Sequence, residues 1–243
     1  MPAFVNMHKP TRRGLPFIFL MATIFALSCE SENNNVSVRD LPVDYFPLRK
    51  GVFQVYNVDE TRYTLGEASE RNYQLKSLVV DSIDAGGGAH TYVIYIYQRE
   101  SGDADWTYKG TWAAQADDRE LIVNEGNTQY LKYRFPLTKG YSWNGNTYNA
   151  GASDDYVLED VKVTQAIGKT SFNDCLVVNQ NDNQDFIVFL DQRKEIYARN
   201  VGLISREIRQ LHYCTDSNSG CLGQQLVDEG VEYSQTLVAY GEE

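Results

Sequence analysis

Apolar and polar residues alternate in short runs from about residue 42 to the end of the chain. A period of two is typical of β-strands, because successive side chains of a strand point to opposite faces. Turn residues recur roughly every 8–12 positions, a spacing typical of antiparallel sandwiches and barrels. We therefore expect an all-β fold, an antiparallel meander that forms a sandwich or a half-open barrel. The predicted strands are Val52–Val58, Tyr73–Asp84, His90–Gln98, Trp106–Ala113, Glu120–Asn124, Gln129–Phe135, Tyr156–Ala166, Cys175–Asn179, Phe186–Asp191, Glu195–Ala198, Leu203–Tyr213 and Val231–Tyr240.

Turn signals separate these runs. Asn144-Gly145 predicts a tight type I′ hairpin, because both residue types tolerate positive φ. The apolar spacing of Leu203–Leu211 also allows a short helix, although a strand is the favoured interpretation. Weaker turn signals are Gly86-Gly87-Gly88, Glu125-Gly126-Asn127, Asp182-Asn183-Gln184 and Asp191-Gln192-Arg193.

Two segments of the chain resemble each other. Tyr45–Gly51 reads YFPLRKG and Arg134–Gly140 reads RFPLTKG, and each precedes an aromatic-rich run. Proline cannot donate a hydrogen bond to a strand ladder, so each segment belongs at a strand start or an edge. Chance similarity is one explanation. We favour a twofold repeat with halves 45–133 and 134–241.

The strand His90–Gln98 has Tyr92, Ile94 and Ile96 on one face, and its other face is also largely apolar. A strand in a sheet with one solvent-exposed face is polar at every second position. Both faces of this strand are largely apolar, so we expect both to be shielded from solvent. A second sheet layer provides that cover without any function and is the plainer interpretation. A cavity that holds an apolar or amphipathic ligand is the functional alternative. An envelope protein that covers the strand is the third.

Trp106, Tyr108 and Trp112 occupy even-numbered positions of the next strand, so we expect them to share one face. Exposed, they would form a platform for sugars or apolar ligands; buried, they belong to the core, which is the favoured interpretation. The candidate ligand-cavity residues are Tyr92, Ile94, Ile96, Trp106, Tyr108 and Trp112.

The N-terminal segment has the three-part layout of a secretory signal. Basic residues at positions 9, 12 and 13 precede the apolar run Leu15–Leu27, which is shorter than the about 20 residues that span a bilayer. The end of this run, Ala26–Cys29, resembles the lipobox of bacterial lipoproteins, although Ala26 stands where that family usually has Leu. The resemblance implies cleavage before Cys29 and acylation of its thiol. An ordinary secretory peptide with an unrelated Cys is the alternative.

The expected organisation follows from that layout. Residues 1–28 are a signal peptide, with Met1 or Met7 as the true start, and residues 29–41 are a flexible polar tether. Residues 42–243 form a single β domain. Two or three acyl chains anchor a protein permanently, so we expect it at the outer membrane, on either face.

Cys214 and Cys221 flank a turn-rich linker, and in an exported chain such a pair is expected to form a disulfide. Free thiols are the next alternative. A metal site is the least favoured, because the two thiols lack a neighbouring His or Cys pair. Cys175 lies in a strand-like run and is expected to be a small buried residue.

The net charge of −11 makes nucleic acid a poor partner, since phosphate needs a basic surface. The sequence contains no nucleophile elbow, P-loop, HExxH or CxxC motif, so we expect no enzyme, no cofactor and no metal. The oxygen-rich segments Asn181–Asp185 and Asp216–Gly220 are expected to be solvated turns, with a Ca²⁺ site as the minor alternative.

Several motifs together are similar to a broad group of uncharacterised bacterial lipoproteins. They are the two Phe-Pro-Leu segments with Gly51 and Gly140, Asn173-Asp174-Cys175, Tyr197-Ala198 and Val201-Gly202-Leu203-Ile204. The resemblance implies an extended antiparallel sheet and provides no catalytic residue. We therefore expect a lipid-anchored envelope lipoprotein, a non-catalytic binding or scaffold module for an apolar ligand or an envelope protein. The alternative is a surface hydrolase that acts on polysaccharide through two carboxyl groups about 5–10 Å apart.

Overall fold

The alternating runs form one continuous antiparallel sheet of 12 strands. The computed structural model describes residues 40–86 and 89–243, which fall in one compact unit, Arg39–Glu243. The predicted signal peptide, Cys29, most of the tether and Gly87-Gly88 lie outside the described residues. The elements are α1 (Pro42–Tyr45), β1 (Val52–Thr64), β2 (Glu67–Gly86), β3 (Ala89–Arg99), β4 (Thr107–Ala116), β5 (Glu120–Glu125), β6 (Thr128–Arg134), β7 (Ser142–Asn144), β8 (Asp155–Ile167), β9 (Thr170–Asp185), β10 (Phe189–Ala198), β11 (Gly202–Tyr213) and β12 (Val227–Glu242).

The sheet consists of two six-stranded meanders, β1–β6 and β7–β12, which join where β1 pairs with β12. The sheet curls until its outer strands approach each other. The backbone N–H of Leu131 on β6 donates to the carbonyl of Gly145 just after β7 (2.9 Å), and the indole of Trp143 donates to the carbonyl of Leu131 (2.9 Å). The all-β prediction is confirmed, and of its two forms the structure shows the half-open barrel.

The two Phe-Pro-Leu segments make matching backbone hydrogen bonds. Gly51 donates to the carbonyl of Val79 on β2, and Gly140 donates to the carbonyl of Leu158 on β8, both at 2.8 Å. Both glycines have positive φ, 89° and 83°, which favours glycine because it has no Cβ. Each meander therefore begins with a similar turn, as a repeat would require. The twofold repeat itself stays a prediction.

The segment before β1 closes one end of the barrel. The Tyr45 side chain is fully buried there, and its hydroxyl donates to Asp174 Oδ1 (2.8 Å). Arg199, in the turn between β10 and β11, donates from Nε to Asp174 Oδ2 (2.5 Å) and from Nη1 to Asp44 Oδ2 (2.9 Å), and it also bonds Asp40. We call Arg199 and these three carboxylates the Arg199 clamp. It fixes the described start of the chain to the sheet.

Two predicted turns are wrong. The polar stretches at 182–184 and 191–193 lie within β9 and β10, and the chain reverses instead at Phe186–Val188. The Asp185 carboxylate accepts a hydrogen bond from the backbone N–H of Ile187 (2.8 Å), which stabilises a turn at this apolar sequence. The prediction failed because the hairpin tip, Phe186–Val188, is apolar, and an apolar run predicts a strand rather than a turn.

The prediction of a type I′ hairpin at Asn144-Gly145 is also wrong. Gly145 does not adopt the positive φ that a type I′ turn requires, and β8 begins only at Asp155. Glycine is needed here for space, because a Cβ at this position would lie 2.3 Å from the ring of Tyr156. The Leu203–Leu211 run forms part of β11, as predicted.

Candidate functional site

The predicted apolar cavity is almost filled by the protein itself. Ile94 and Ile96 are buried and point into the barrel beside Trp112, as expected of cavity residues. The open space at this apolar end is about 40 Å³, and its lining also includes Tyr56 of β1 and Leu203 of β11. That volume is close to the space of one water molecule, so it has no room for a lipid-sized ligand.

The aromatic residues of β4 do not share one face. Ile96 pairs with Gly110, whereas its neighbour Tyr97 pairs with Tyr108, so β4 contains one extra residue at this point. Such a β-bulge reverses which side chains point inward. Trp112 therefore faces the interior, and Tyr108 lies on the outer surface with 52% of its area exposed. The expectation of a shared face was wrong because a bulge cannot be read from alternation alone.

The remaining candidate residues have structural contacts. The Trp106 ring, just before β4, lies 4.3 Å from the guanidinium of Arg99. Tyr92 is partly buried against the core. On the outer surface Tyr108 packs edge-on against Tyr95, with ring centroids 5.4 Å apart. The six predicted cavity residues are thus divided between the core and the outer surface.

A larger space lies next to the apolar end, and its lining is mainly polar. This polar chamber, of about 650 Å³, is bounded by Thr128, Tyr130, Gln180, Arg193 and Gln210, with four charged residues at its base. Its volume falls within the about 300–1,000 Å³ of typical small-molecule sites. None of these five residues is a candidate binding residue in the sequence analysis.

The base of the chamber is a buried quartet of Glu125, Lys132, Glu195 and Arg206. Lys132 Nζ lies 2.7 Å from Glu125 Oε1 and 3.0 Å from Glu195 Oε1. Arg206 reaches the same two carboxylates, with Nη2 2.7 Å from Glu125 Oε1 and Nε 2.7 Å from Glu195 Oε1. Glu125 and Lys132 belong to β5 and β6, whereas the other two belong to β10 and β11. The quartet therefore links the two meanders across the interior.

The cations keep both carboxylates of the quartet ionised. Burial alone raises the pKa of the Glu195 carboxyl, but the charges of Lys132 and Arg206 and a hydrogen bond from Tyr197 (2.5 Å) outweigh that effect. The pKa of Glu195 therefore lies well below its ordinary value of 4.5. Burial raises the pKa of Glu125 as well, and the same two cations again lower it overall.

These pKa shifts bear on the hydrolase alternative. A glycosidase needs one carboxyl group with a raised pKa, so that it is protonated and can donate to the leaving group. Both carboxyls of the quartet have lowered pKa values. The quartet therefore gives no support to a glycosidase mechanism in the polar chamber.

Two polar residues of the chamber are placed by β-bulges. On β6, Leu131 and Tyr133 pair with consecutive residues of β5, so Lys132 between them is the extra residue. On β9, Asn179 and Asn181 pair with the consecutive residues Lys194 and Arg193 of β10, so Gln180 between them is the extra residue. Bulges turn side chains away from the regular alternation and are common beside functional sites. The sequence pattern could not show either.

Gln180 is the most informative residue of the chamber. Its side chain lines the space and is only 5% exposed, yet it has no hydrogen-bond partner among the described residues. In the described residues the fully buried side-chain polar atoms without a hydrogen-bond partner are Asn124 Oδ1 and Glu159 Oε2, so the Gln180 amide is instead accessible from the chamber. A polar ligand in the chamber would supply the missing partner.

The disulfide prediction is confirmed. Cys214 and Cys221 are bonded, with Cα atoms 5.8 Å apart, in the loop between β11 and β12. Cys175 is a free, fully buried cysteine, as predicted.

Asn181–Asp185, one of the candidate Ca²⁺ segments, lies within β9. In residues 40–86 and 89–243, no group of three or more His, Cys, Asp or Glu residues is placed to hold a metal ion.

Within the same described ranges, no helix is long and apolar enough to cross a membrane.

Comparison with known proteins adds the following. No family model matches the chain, and no curated protein matches it. Among solved structures, the chain is similar to a protein of Bacteroides fragilis that is described as exported, with a YmcC-like fold; the TM-score is 0.46, the identity is 11%, and the match covers 82% of this chain and 99% of that one. It is also similar to a protein of Parabacteroides distasonis that is described as a lipoprotein, with a TM-score of 0.44, an identity of 13%, and coverage of 81% and 98%.

Proposed function

We propose that the protein is a lipid-anchored lipoprotein of the cell envelope that binds a small polar ligand, without catalysis, in the polar chamber. The lipid anchor rests on Cys29 at the end of the lipobox-like segment, and the outer membrane is the proposed location. The ligand differs from the apolar one that the sequence suggested, because the apolar end of the barrel has only about 40 Å³ of open space.

One observation carries the binding function: the side-chain amide of Gln180 lines a chamber of about 650 Å³ and has no hydrogen-bond partner in the described part of the chain. An amide that is not engaged by the protein and lines a space of this size is available to bond a polar ligand. The quartet supports the same conclusion, because its ion pairs hold the chamber walls together and form a rigid base.

The experiment is native mass spectrometry of the protein extracted from its own cell envelope. The Thr128→Trp variant places a large ring in the chamber, and Thr138→Trp places the same ring on an exposed loop outside it. We expect a water-soluble adduct on the unaltered protein and on Thr138→Trp, and its loss from Thr128→Trp. An extract without any adduct, an adduct that partitions into organic solvent, or equal retention by both variants would contradict the proposed function.

A further inference from the structure

The charged residues that line the polar chamber neutralise one another. Three are cations and three are carboxylates, and each has a partner of opposite charge inside the lining. Besides the quartet, Arg193 makes a two-pronged ion pair with Asp154, from Nη1 to Oδ2 (2.7 Å) and from Nη2 to Oδ1 (2.8 Å), and a further pair with Asp191. An anionic or a cationic ligand would therefore find no unpaired opposite charge among these lining residues.

The groups that remain available for a ligand are uncharged. They are amides and hydroxyls, at Gln180, Gln210, Asn127, Thr128 and Tyr130. Each amide both donates and accepts hydrogen bonds, and each hydroxyl does the same. Such a set matches a neutral ligand with many hydroxyl or amide groups of its own.

The chamber also has one aromatic wall. The Tyr130 ring lines it at a half-buried position, and Tyr156 lies deeper, packed edge-on against Trp143 with ring centroids 6.2 Å apart. An aromatic ring beside amide groups suits a molecule that has apolar C–H faces and polar edges, as sugar rings do.

From these three features we infer that the ligand of the polar chamber is a neutral saccharide, held by hydrogen bonds from Gln180 and by contact with Tyr130. This inference rests on the proposed function, since it names the chemical class of the ligand at that same site. A balanced set of lining charges beside a free amide favours an uncharged ligand, because a charged ligand finds no free counter-charge there to offset the loss of its hydration.

Isothermal titration calorimetry tests the inference with a panel of disaccharides. The neutral probes are maltose, lactose, mannobiose and N,N′-diacetylchitobiose. The charged probes of matching size are the diamine chitobiose and the diacid digalacturonate. We expect saturable binding of at least one neutral probe, and at least tenfold weaker binding of both charged probes. No saturable binding of any neutral probe at millimolar concentration, or equal binding of a charged probe, would overturn the inference.

A substitution pair checks that the binding occurs in the chamber. Gln180→Met keeps the length of the side chain and removes the amide, and we expect about tenfold weaker binding, the value of one hydrogen bond. Gln184→Met is the control, on the exposed part of the same strand. Equal affinity of the two variants would contradict the assigned role of Gln180.

The two proposals can fail separately. If native mass spectrometry finds a water-soluble adduct that is charged or is not a saccharide, the chamber binds a ligand and only the saccharide class is wrong. If it finds no adduct and no disaccharide binds, both proposals are wrong.

Discussion

Lys132 Nζ lies 3.0 Å from Glu195 Oε1, although the two residues belong to different meanders of the sheet. Both side chains are at most 5% exposed. The pair, with Glu125 and Arg206, gives the barrel interior a charged base between its filled apolar end and its open polar chamber. Buried ion pairs of this kind contribute to stability only while every member has its partners, so removing one member should have a large effect.

The first prediction concerns Glu195→Gln. This substitution removes one of the two carboxylates that neutralise Lys132 and Arg206, and we expect the free energy of unfolding to fall by about 3–5 kcal/mol. Urea unfolding followed by far-ultraviolet circular dichroism measures the change. Glu207→Gln, at an exposed position of the neighbouring strand, is the control and should stay within about 0.5 kcal/mol. Equal stability of the two variants would show that the quartet contributes little.

The second prediction concerns pH. The folded protein holds the pKa values of Glu195 and Glu125 below their ordinary value of 4.5, so these groups stabilise the fold fully above about that pH. As the pH falls below 4.5 toward the lowered values, the unfolded chain binds protons first and stability is lost. Urea midpoints measured between neutral pH and pH 3 should therefore fall steeply at the acid end. The Glu195→Gln variant should show a shallower decline, and an unchanged slope would contradict the assignment.

The third prediction concerns the membrane anchor. Replacement of Cys29 by Ala removes the only thiol of the lipobox-like segment, so this variant should leave the membrane fraction. Intact mass measurement of the unaltered protein should show two or three acyl chains on a chain that begins at Cys29. A double Cys214→Ala, Cys221→Ala variant should remain in the membrane fraction. Continued membrane association of Cys29→Ala would exclude acylation as the anchor.

The fourth prediction concerns the disulfide. Cys214 and Cys221 are separated by seven positions, and closing so short a loop restricts few unfolded conformations. We expect its removal to lower the free energy of unfolding by about 2–3 kcal/mol at most. The double alanine variant, compared with the oxidised protein in urea, measures this cost. Peptide mapping without reduction should yield one linked peptide, and two alkylated thiols in the native protein would contradict the bond.

Alternation along the chain predicted the strands because the period of two is a local property of each strand. The chamber was missed because bulges determine it, and one inserted residue changes the facing of its neighbours without changing the composition of the run. A signal was nevertheless present. By period-two alternation Glu195 falls on the same face as Tyr197, and Arg206 falls on the same face as Ile204 and Ile208. A charge at such a position usually has a buried partner.

The small size of the apolar space beside β3 could not be predicted for a related reason. The apolar faces of β3 predicted a cavity because the sequence shows which side chains need cover, and it does not show how completely other strands supply that cover. Here Tyr56 of β1 and Leu203 of β11 line the same small space. Closure of the sheet, a long-range property, therefore decided where open space remained.

The Arg199 clamp gives the protein a mechanical property. The described chain starts at Asp40, and Asp40 and Asp44 are held by one guanidinium that also grips Asp174 on β9. Traction on the chain at residue 40 therefore acts first on these ion pairs, on the single turn of α1 and on the backbone hydrogen bond from Asn200 N–H to the Asp44 carbonyl (2.6 Å). The backbone ladder of β1 begins only at Val52, so it bears load after the clamp has opened. An anchor on the segment before residue 40 would therefore pull on this clamp before it pulled on the hydrogen bonds of β1.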